Sequence, residues 1–220
     1  DRLREEDPFT ERFAQVVPNR FIARRSRFEV DLNRPRDKAV YLEPSDAWGL
    51  TVWARPPDES LLQESLRLYD DFYVEFQRVL NELRTRHGAF VVLDMHSYNH
   101  RRDGAEARAG DGAANPDVNV GTSDLDLDRW GPLVDRFMTE VSELSGGLDA
   151  RTNVRFTGGH LIQWVQQMFP DSNCSLAIEF KKIFMDEWTG ELDEPKLDVL
   201  VAAFEGSLAG ILAELKAVAE

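Results

Sequence analysis

Residues Ala89–Gly104 read AFVVLDMHSYNHRRDG. The apolar run from Phe90 to Leu93 has the composition of a buried strand. Asp94, His96, Ser97, Asn99, His100, Arg101 and Arg102 then crowd the place where that strand is expected to end. In open α/β sheets the carboxyl ends of strands border the ligand crevice, so this abrupt change reads as the start of an active-site loop.

Working outward, the chain alternates helical and strand-like patterns, the order of a layered α/β protein. Upstream, Leu62, Leu66, Tyr69, Tyr73, Phe76, Leu80 and Leu83 recur at spacings of three and four. That stripe predicts a long amphipathic core helix ending at His87-Gly88. Before it, Tyr41 to Asp58 is rich in Pro, Gly and Trp without periodicity and reads as a long surface loop. Arg20–Arg25 and Arg27–Leu32 read as two short strands, the second stopped by Pro35, which leaves Asn33 and Arg34 at a strand end. Asp7-Pro8 reads as a helix start running to Val16, with Asp7 as N-cap.

Downstream, the Gly-rich stretch Ala105–Asn115 reads as loop and Asp117–Gly121 as a short strand. Trp130, Val134, Phe137, Val141 and Leu144 predict a helix closed by Gly146-Gly147. Thr157-Gly158-Gly159-His160 precedes a helical run from Leu161 to Met168. SLAIEF, Ser175 to Phe180, is the second buried-strand candidate, with Glu179 near its end. Leu197 to Leu215 carries the periodicity of a C-terminal amphipathic helix.

A length of 220 residues suits one sizeable α/β domain. The net charge of -14 disfavours a non-specific nucleic-acid or anionic-membrane binder. Arginines nevertheless cluster at Arg20–Arg36 and at Arg101-Arg102, which suits a small anionic substrate. The single Cys174 cannot form an internal disulfide and reads as a packed core thiol. No signal-peptide pattern is present, so the default expectation is a soluble cytoplasmic protein without membrane partners. Oligomeric state is not legible.

Two of the four histidines, His96 and His100, lie in the opening stretch. An imidazole at a strand end beside carboxylates suits zinc, and His96 is the expected ligand; His100 is then a substrate contact or an outer-sphere residue. Glu179 is the natural general base, since a carboxylate in a largely apolar strand binds its proton more tightly and can take one from a metal-bound water. Its structural alternative is an ion pair with Lys181 or Lys182. Arg34, Arg101 and Arg102 could clamp a carboxylate bidentately. Nucleophilic alternatives fare worse, because Ser97 lacks a G-x-S-x-G elbow and no motif places a histidine beside Cys174.

Five segments, in order, together resemble the N-formylglutamate amidohydrolases, zinc-carboxypeptidase-like hydrolases: SRFEVDLNRPRDKAVY (Ser26–Tyr41), LDMHSYNHRRDG (Leu93–Gly104), NPDVNVGT (Asn115–Thr122), TGGHLIQ (Thr157–Gln163) and AIEFKKIFMDEWTGE (Ala177–Glu191). The resemblance implies a phosphorylase/hydrolase-like α/β fold, a single domain over residues 1–220 with a mixed sheet flanked by helices. It implies one zinc ion (Zn2+) held by His96 and an acidic ligand at Glu6 or Asp7, and Glu179 as general base. Arg101, which also supplies the cation for the oxyanion, belongs with Asn33, Arg34, Arg102 and His160 to the implied substrate pocket, beside His100 as the substrate contact read from the residues. The family's first metal histidine lies in an N-terminal strand, which on this reading precedes Asp1. The implied reaction is hydrolysis of the C–N amide bond of a small anionic N-formyl or N-acyl amino acid. HSYNHRRDG and the Trp-rich loop depart from the glutamate-type pattern and favour another N-acyl amino acid or a peptide C-terminus over formylglutamate itself. A carboxypeptidase-like hydrolase and a catalytically inactive binding module are the competing expectations.

Overall fold

Two runs, each built around a stretch of apolar residues, pair along their whole length and organise the sheet. In the computed structural model, which describes residues 2–219, strands β1 (Phe90–Tyr98) and β4 (Asn173–Lys181) are parallel. β2 (Val118–Gly121) runs antiparallel to β4, and β3 (Ala150–Thr152) parallel to β2, giving the order β1-β4-β2-β3 in a mixed sheet. The helices are α1 (Arg2–Glu5), α2 (Glu11–Ala14), α3 (Glu59–His87), α4 (Leu127–Leu144), α5 (His160–Met168) and α6 (Glu194–Ala219). Among the described residues no helix is long and apolar enough to cross a membrane.

The chain divides into two compact units. The first comprises the residues up to Ile22, Ala89–Gly158 and those from Ile162 onward. Side chains alternate across a strand, and one sheet face is continuously apolar: Val91, Leu93 and Met95 of β1, Cys174, Leu176, Ile178 and Phe180 of β4, and Val118 and Val120 of β2. Trp130, Leu133, Phe137 and Val141 of α4 and Leu197, Leu200, Phe204 and Ile211 of α6 bury that face. Phe13 of α2 stacks on Phe180 with centroids 4.3 Å apart and meets Phe204 edge-on. Cys174 is buried in this core, which pushes its thiol up to about 12 and leaves it inert, as expected. On the opposite face, the Ser175 hydroxyl donates to Ile162 O of α5 and Phe90 meets Phe169 edge-on.

The second unit comprises Ala23–Gly88 and Gly159–Leu161. Its frame is α3, capped by the Asp58 side chain accepting from Leu61 N and ended at Gly88, whose φ of 78° favours glycine. The loop before α3 carries a short turn of 3-10 helix at Pro44–Ala47.

Three expectations need correction. The opening strand runs to Tyr98, so Asp94 and His96 sit inside it: polar residues there still alternate with Met95, and the β4 ladder satisfies the backbone. The 7–16 helix does not form as one piece. Asp7 is spent on β1 rather than on a cap, Phe9 takes a left-handed φ of 69°, and the helix starts only at Glu11. Arg20–Arg25 and Arg27–Leu32 are not strands; Ser26 instead closes a tight turn, its O accepting from Glu29 N and Val30 N and its Oγ from Phe28 N.

Candidate active site

In the first unit the second sheet face carries polar residues toward the end of β1 and β4. In register, Asp94 stands opposite Ala177, His96 opposite Glu179 and Glu179 opposite Asn119. His96 and Glu179 therefore lie side by side on adjacent strands, facing the same way. Asp7 reaches the outer edge of β1. Its Oδ1 accepts from Ser97 N at 2.8 Å and its Oδ2 lies 3.2 Å from His96 Nδ1. The other ring nitrogen, His96 Nε2, is 2.9 Å from Asp94 Oδ2. Burial alone would lower the His96 pKa. The charge of Asp94, bonding to Asp7 and Asp94, and the charge of Glu179 outweigh it and raise the pKa well above its ordinary value.

The two lysines near Glu179 in the chain make contacts with other segments. Lys181 Nζ pairs with Asp117 at 2.6 Å and donates to Asn115 O. Lys182, fully buried, sends its ammonium to Arg4 O at 2.6 Å, Glu6 O at 2.8 Å and Asn99 Oδ1 at 3.0 Å. Burial pushes the Lys182 pKa down against the opposing pull of Asp7, Glu187 and Glu5. Of the two candidate acidic ligands, Asp7 is the one brought to His96. The Glu6 carboxylate lies 3.5 Å from Arg2 Nε.

His100 and Arg101 leave β1 under the control of Glu187, a buried carboxylate from the segment after β4. Glu187 Oε1 accepts from His100 N at 2.7 Å and Arg101 N at 3.1 Å, and lies 2.7 Å from His100 Nδ1. Burial would raise the Glu187 pKa, but the His100 ring and the two backbone amides hold it below the ordinary range. Trp188 Nε1 donates to Arg101 O, while Arg101 Nη1 lies 3.5 Å from Asp186 Oδ2. Arg102 is exposed.

In the second unit the DLNRP segment turns on Asp31, a buried carboxylate. It accepts from Arg27 Nη2 at 2.8 Å, from Asn33 N at 2.9 Å and from the Tyr41 hydroxyl. Burial, aided by the Asp31 charge, pushes the Tyr41 phenol up to about 12, so it stays a donor. Arg34 Nε lies 3.9 Å from Asp31 Oδ2, and its guanidinium sits over the Tyr41 ring. Two tyrosines of the α3 stripe hold the segment's backbone: Tyr73 OH donates to Leu32 O at 2.7 Å and Tyr69 OH to Arg34 O at 2.9 Å. Tyr69 OH is also 3.2 Å from His160 Nε2. Asn33 Oδ1 accepts from Leu161 N at 2.8 Å, locking Asn33 to the first turn of α5 beside His160. Asn33, Arg34 and His160 are thus one cluster.

Sequence reasoning passed over Asp94, Asp31, Lys182 and Glu187 as site-building residues. Asp94 could have been found by its i, i+2 spacing from His96 once the strand was extended, and Asp31 by its place in DLNRP. Lys182 and Glu187 carry no local signal, because both act on segments distant in sequence.

The donors along β1 suit a divalent zinc in kind: the His96 imidazole and the Asp7 carboxylate, with the Asp94 carboxylate against the other ring nitrogen. Among the described residues no group of three or more His, Cys, Asp or Glu is arranged to hold a metal. The fit is therefore to two ligand positions, Asp7 and His96.

A family model described as N-formylglutamate amidohydrolase matches residues 1–185. No functionally curated protein matches the sequence. The fold is similar to the crystal structure of N-formylglutamate amidohydrolase from Ralstonia eutropha, with a TM-score of 0.70 and 19% identity over 99% of this chain and 84% of that one. It is also similar to the crystal structure of a gene product from Agrobacterium tumefaciens, with a TM-score of 0.51 and 18% identity over 88% of this chain and 67% of that one. At these identities the two likenesses establish the α/β fold, and the family match spans both the strand bearing His96 and the strand bearing Glu179. The chain belongs to the N-formylglutamate amidohydrolase family.

Proposed function

We propose that the protein is a zinc-dependent hydrolase that cleaves the C–N amide bond of a small anionic N-formyl or N-acyl amino acid. The observation that carries this reading is the placement of His96 and Glu179 side by side on one sheet face with Asp7 against the His96 ring. Asp7 and His96 would hold the metal. Zinc, when bound, polarises the scissile carbonyl and lowers the pKa of its water. Glu179 takes the proton released as that water attacks, holds it on a carboxylate oxygen and delivers it to the amide nitrogen, so that the products are a carboxylate and a free amine. Arg101 offers positive charge to the developing oxyanion. Asn33, Arg34, His100, Arg102 and His160 are proposed as substrate-binding groups, arginine being suited to a carboxylate.

The test is amine release from a panel of N-formyl and N-acyl amino acids, set against dipeptides, with zinc supplied. Turnover of the acyl amino acids is expected. Turnover confined to dipeptides would instead support the carboxypeptidase-like reading. A folded, zinc-loaded protein inert on both sets would leave a binding module. Glu179→Gln is expected to lower kcat by about 100-fold or more while zinc content is retained; full turnover by this variant would remove Glu179 from the base role.

A further inference from the structure

We propose that Lys182 is a positioning residue whose ammonium, by tying the Arg4 and Glu6 carbonyls to Asn99 at the end of β1, holds Asp7 against the His96 ring. The metal-related consequence rests on the proposed role of Asp7 as a ligand. Lys182 follows the last residue of β4 and is fully buried, an unusual place for a lysine unless all its protons are used. They are used: its three acceptors lie at 2.6, 2.8 and 3.0 Å, matching the three donors of an ammonium. Its own N–H donates to Tyr98 O at 3.0 Å, so the residue is fixed to the end of β1 by backbone as well as by side chain.

The two carbonyls come from the short stretch preceding Asp7, and one of them belongs to Glu6, directly adjacent. That stretch has little regular structure to fix it. α1 is a single turn, Arg2–Glu5, and α2 begins only at Glu11. The Asp7 carboxylate also meets β1 directly, at Ser97 N and at the His96 ring. Without the ammonium, the segment loses its tie to the end of β1 through the Arg4 and Glu6 carbonyls, the tie adjacent to the carboxylate whose position is in question. Outer residues that orient a ligand commonly change metal affinity by 10- to 100-fold.

The experiment compares amide hydrogen exchange at Ser97 in the full chain, without metal, for wild type, Lys182→Met and Asp7→Ala. The Ser97 N–H is bonded to Asp7 Oδ1 and reports where Asp7 is. In Lys182→Met, Ser97 is expected to lose protection to about the Asp7→Ala level, while amides of β4 such as Leu176 and Ile178 keep theirs. Wild-type protection at Ser97 in that variant would overturn the proposal. If Lys182→Met does not fold, Lys182→Gln, which is too short by one bond to replace the ammonium and carries only two uncharged N–H donors, takes its place with the same two outcomes.

A second arm measures zinc affinity by competition with a chromophoric chelator. A 10- to 100-fold weakening in the Lys182 variant supports the proposal. Absence of zinc binding by wild type, together with lost Ser97 protection in the variant, would support Lys182 as the residue that positions Asp7 and refute zinc dependence. Unchanged zinc affinity beside a fully protected Ser97 would refute the proposal alone.

Discussion

Glu187→Gln is expected to destabilise the first unit by about 3 kcal/mol near neutral pH and to free the start of the loop that carries Arg101. The carboxylate accepts from His100 N at 2.7 Å, from Arg101 N at 3.1 and 3.2 Å, and sits 2.7 Å from His100 Nδ1, all with Glu187 only 2% exposed. Hydrogen bonds to a charged group contribute about 1.5–3 kcal/mol each. Glutamine retains one carbonyl oxygen for one of these donors and turns an amide toward another, which places the net loss at about 3 kcal/mol.

The pH dependence follows from the lowered Glu187 pKa. A depressed folded-state value means the stabilisation is fully present above the unfolded carboxyl value of about 4.3 and is lost as pH falls through the folded value. The gap between wild type and variant should therefore be widest near neutrality and close in acid. Urea unfolding followed by tryptophan fluorescence, repeated from about pH 7 to about pH 3, measures both quantities. A gap below about 1 kcal/mol at neutrality, or one that persists undiminished in acid, would refute the reasoning.

Gly159→Ala should cost about 1–3 kcal/mol, since a Cβ there would sit 2.5 Å from Asn33 Nδ2 and 2.7 Å from its Cγ, expelling the side chain that accepts from Leu161 N. Thermal unfolding together with the His160 ring chemical shifts checks this; unaltered values for both would show that the Asn33 lock is dispensable. His160 should titrate below the ordinary histidine range, because burial disfavours its charged form more than Asp31 and Asp37 favour it. Its contribution to stability is accordingly full above the ordinary value and declines as pH falls through the lowered one, and an NMR titration of the ring with a midpoint at or above about 6.5 would contradict that.

Much of the architecture was legible because it depends on short-range patterning. The 3.6-residue stripe of Leu62–Leu83 and the apolar runs around Phe90–Leu93 and Ser175–Phe180 each announce an element that buries its own apolar side chains, whatever its neighbours are. Glu179 stood out as a carboxylate set into a buried strand, and His96 as an imidazole placed where a strand was expected to end. β3 was missed: Ala150–Thr152 is three residues long and is a strand only because β2 lies beside it. The turns around Ser26 were misread because Phe28 and Val30 mimic alternation where no partner strand exists.

What the sequence determined by itself was therefore the inventory: an α/β layering and the segments that bear His96 and Glu179, with DLNRP and TGGH joined only through a family resemblance. Only the tertiary structure decided register and partnership. It set His96 opposite Glu179, chose Asp7 over Glu6 as the carboxylate facing that ring, and enlisted Lys182, Glu187 and Asp31 to hold the loops. The physical reason is range. Periodicity records which side of an element is buried, a local property, whereas a buried charge is tolerated only when distant segments supply its partners, and those partners leave no mark near it in the chain.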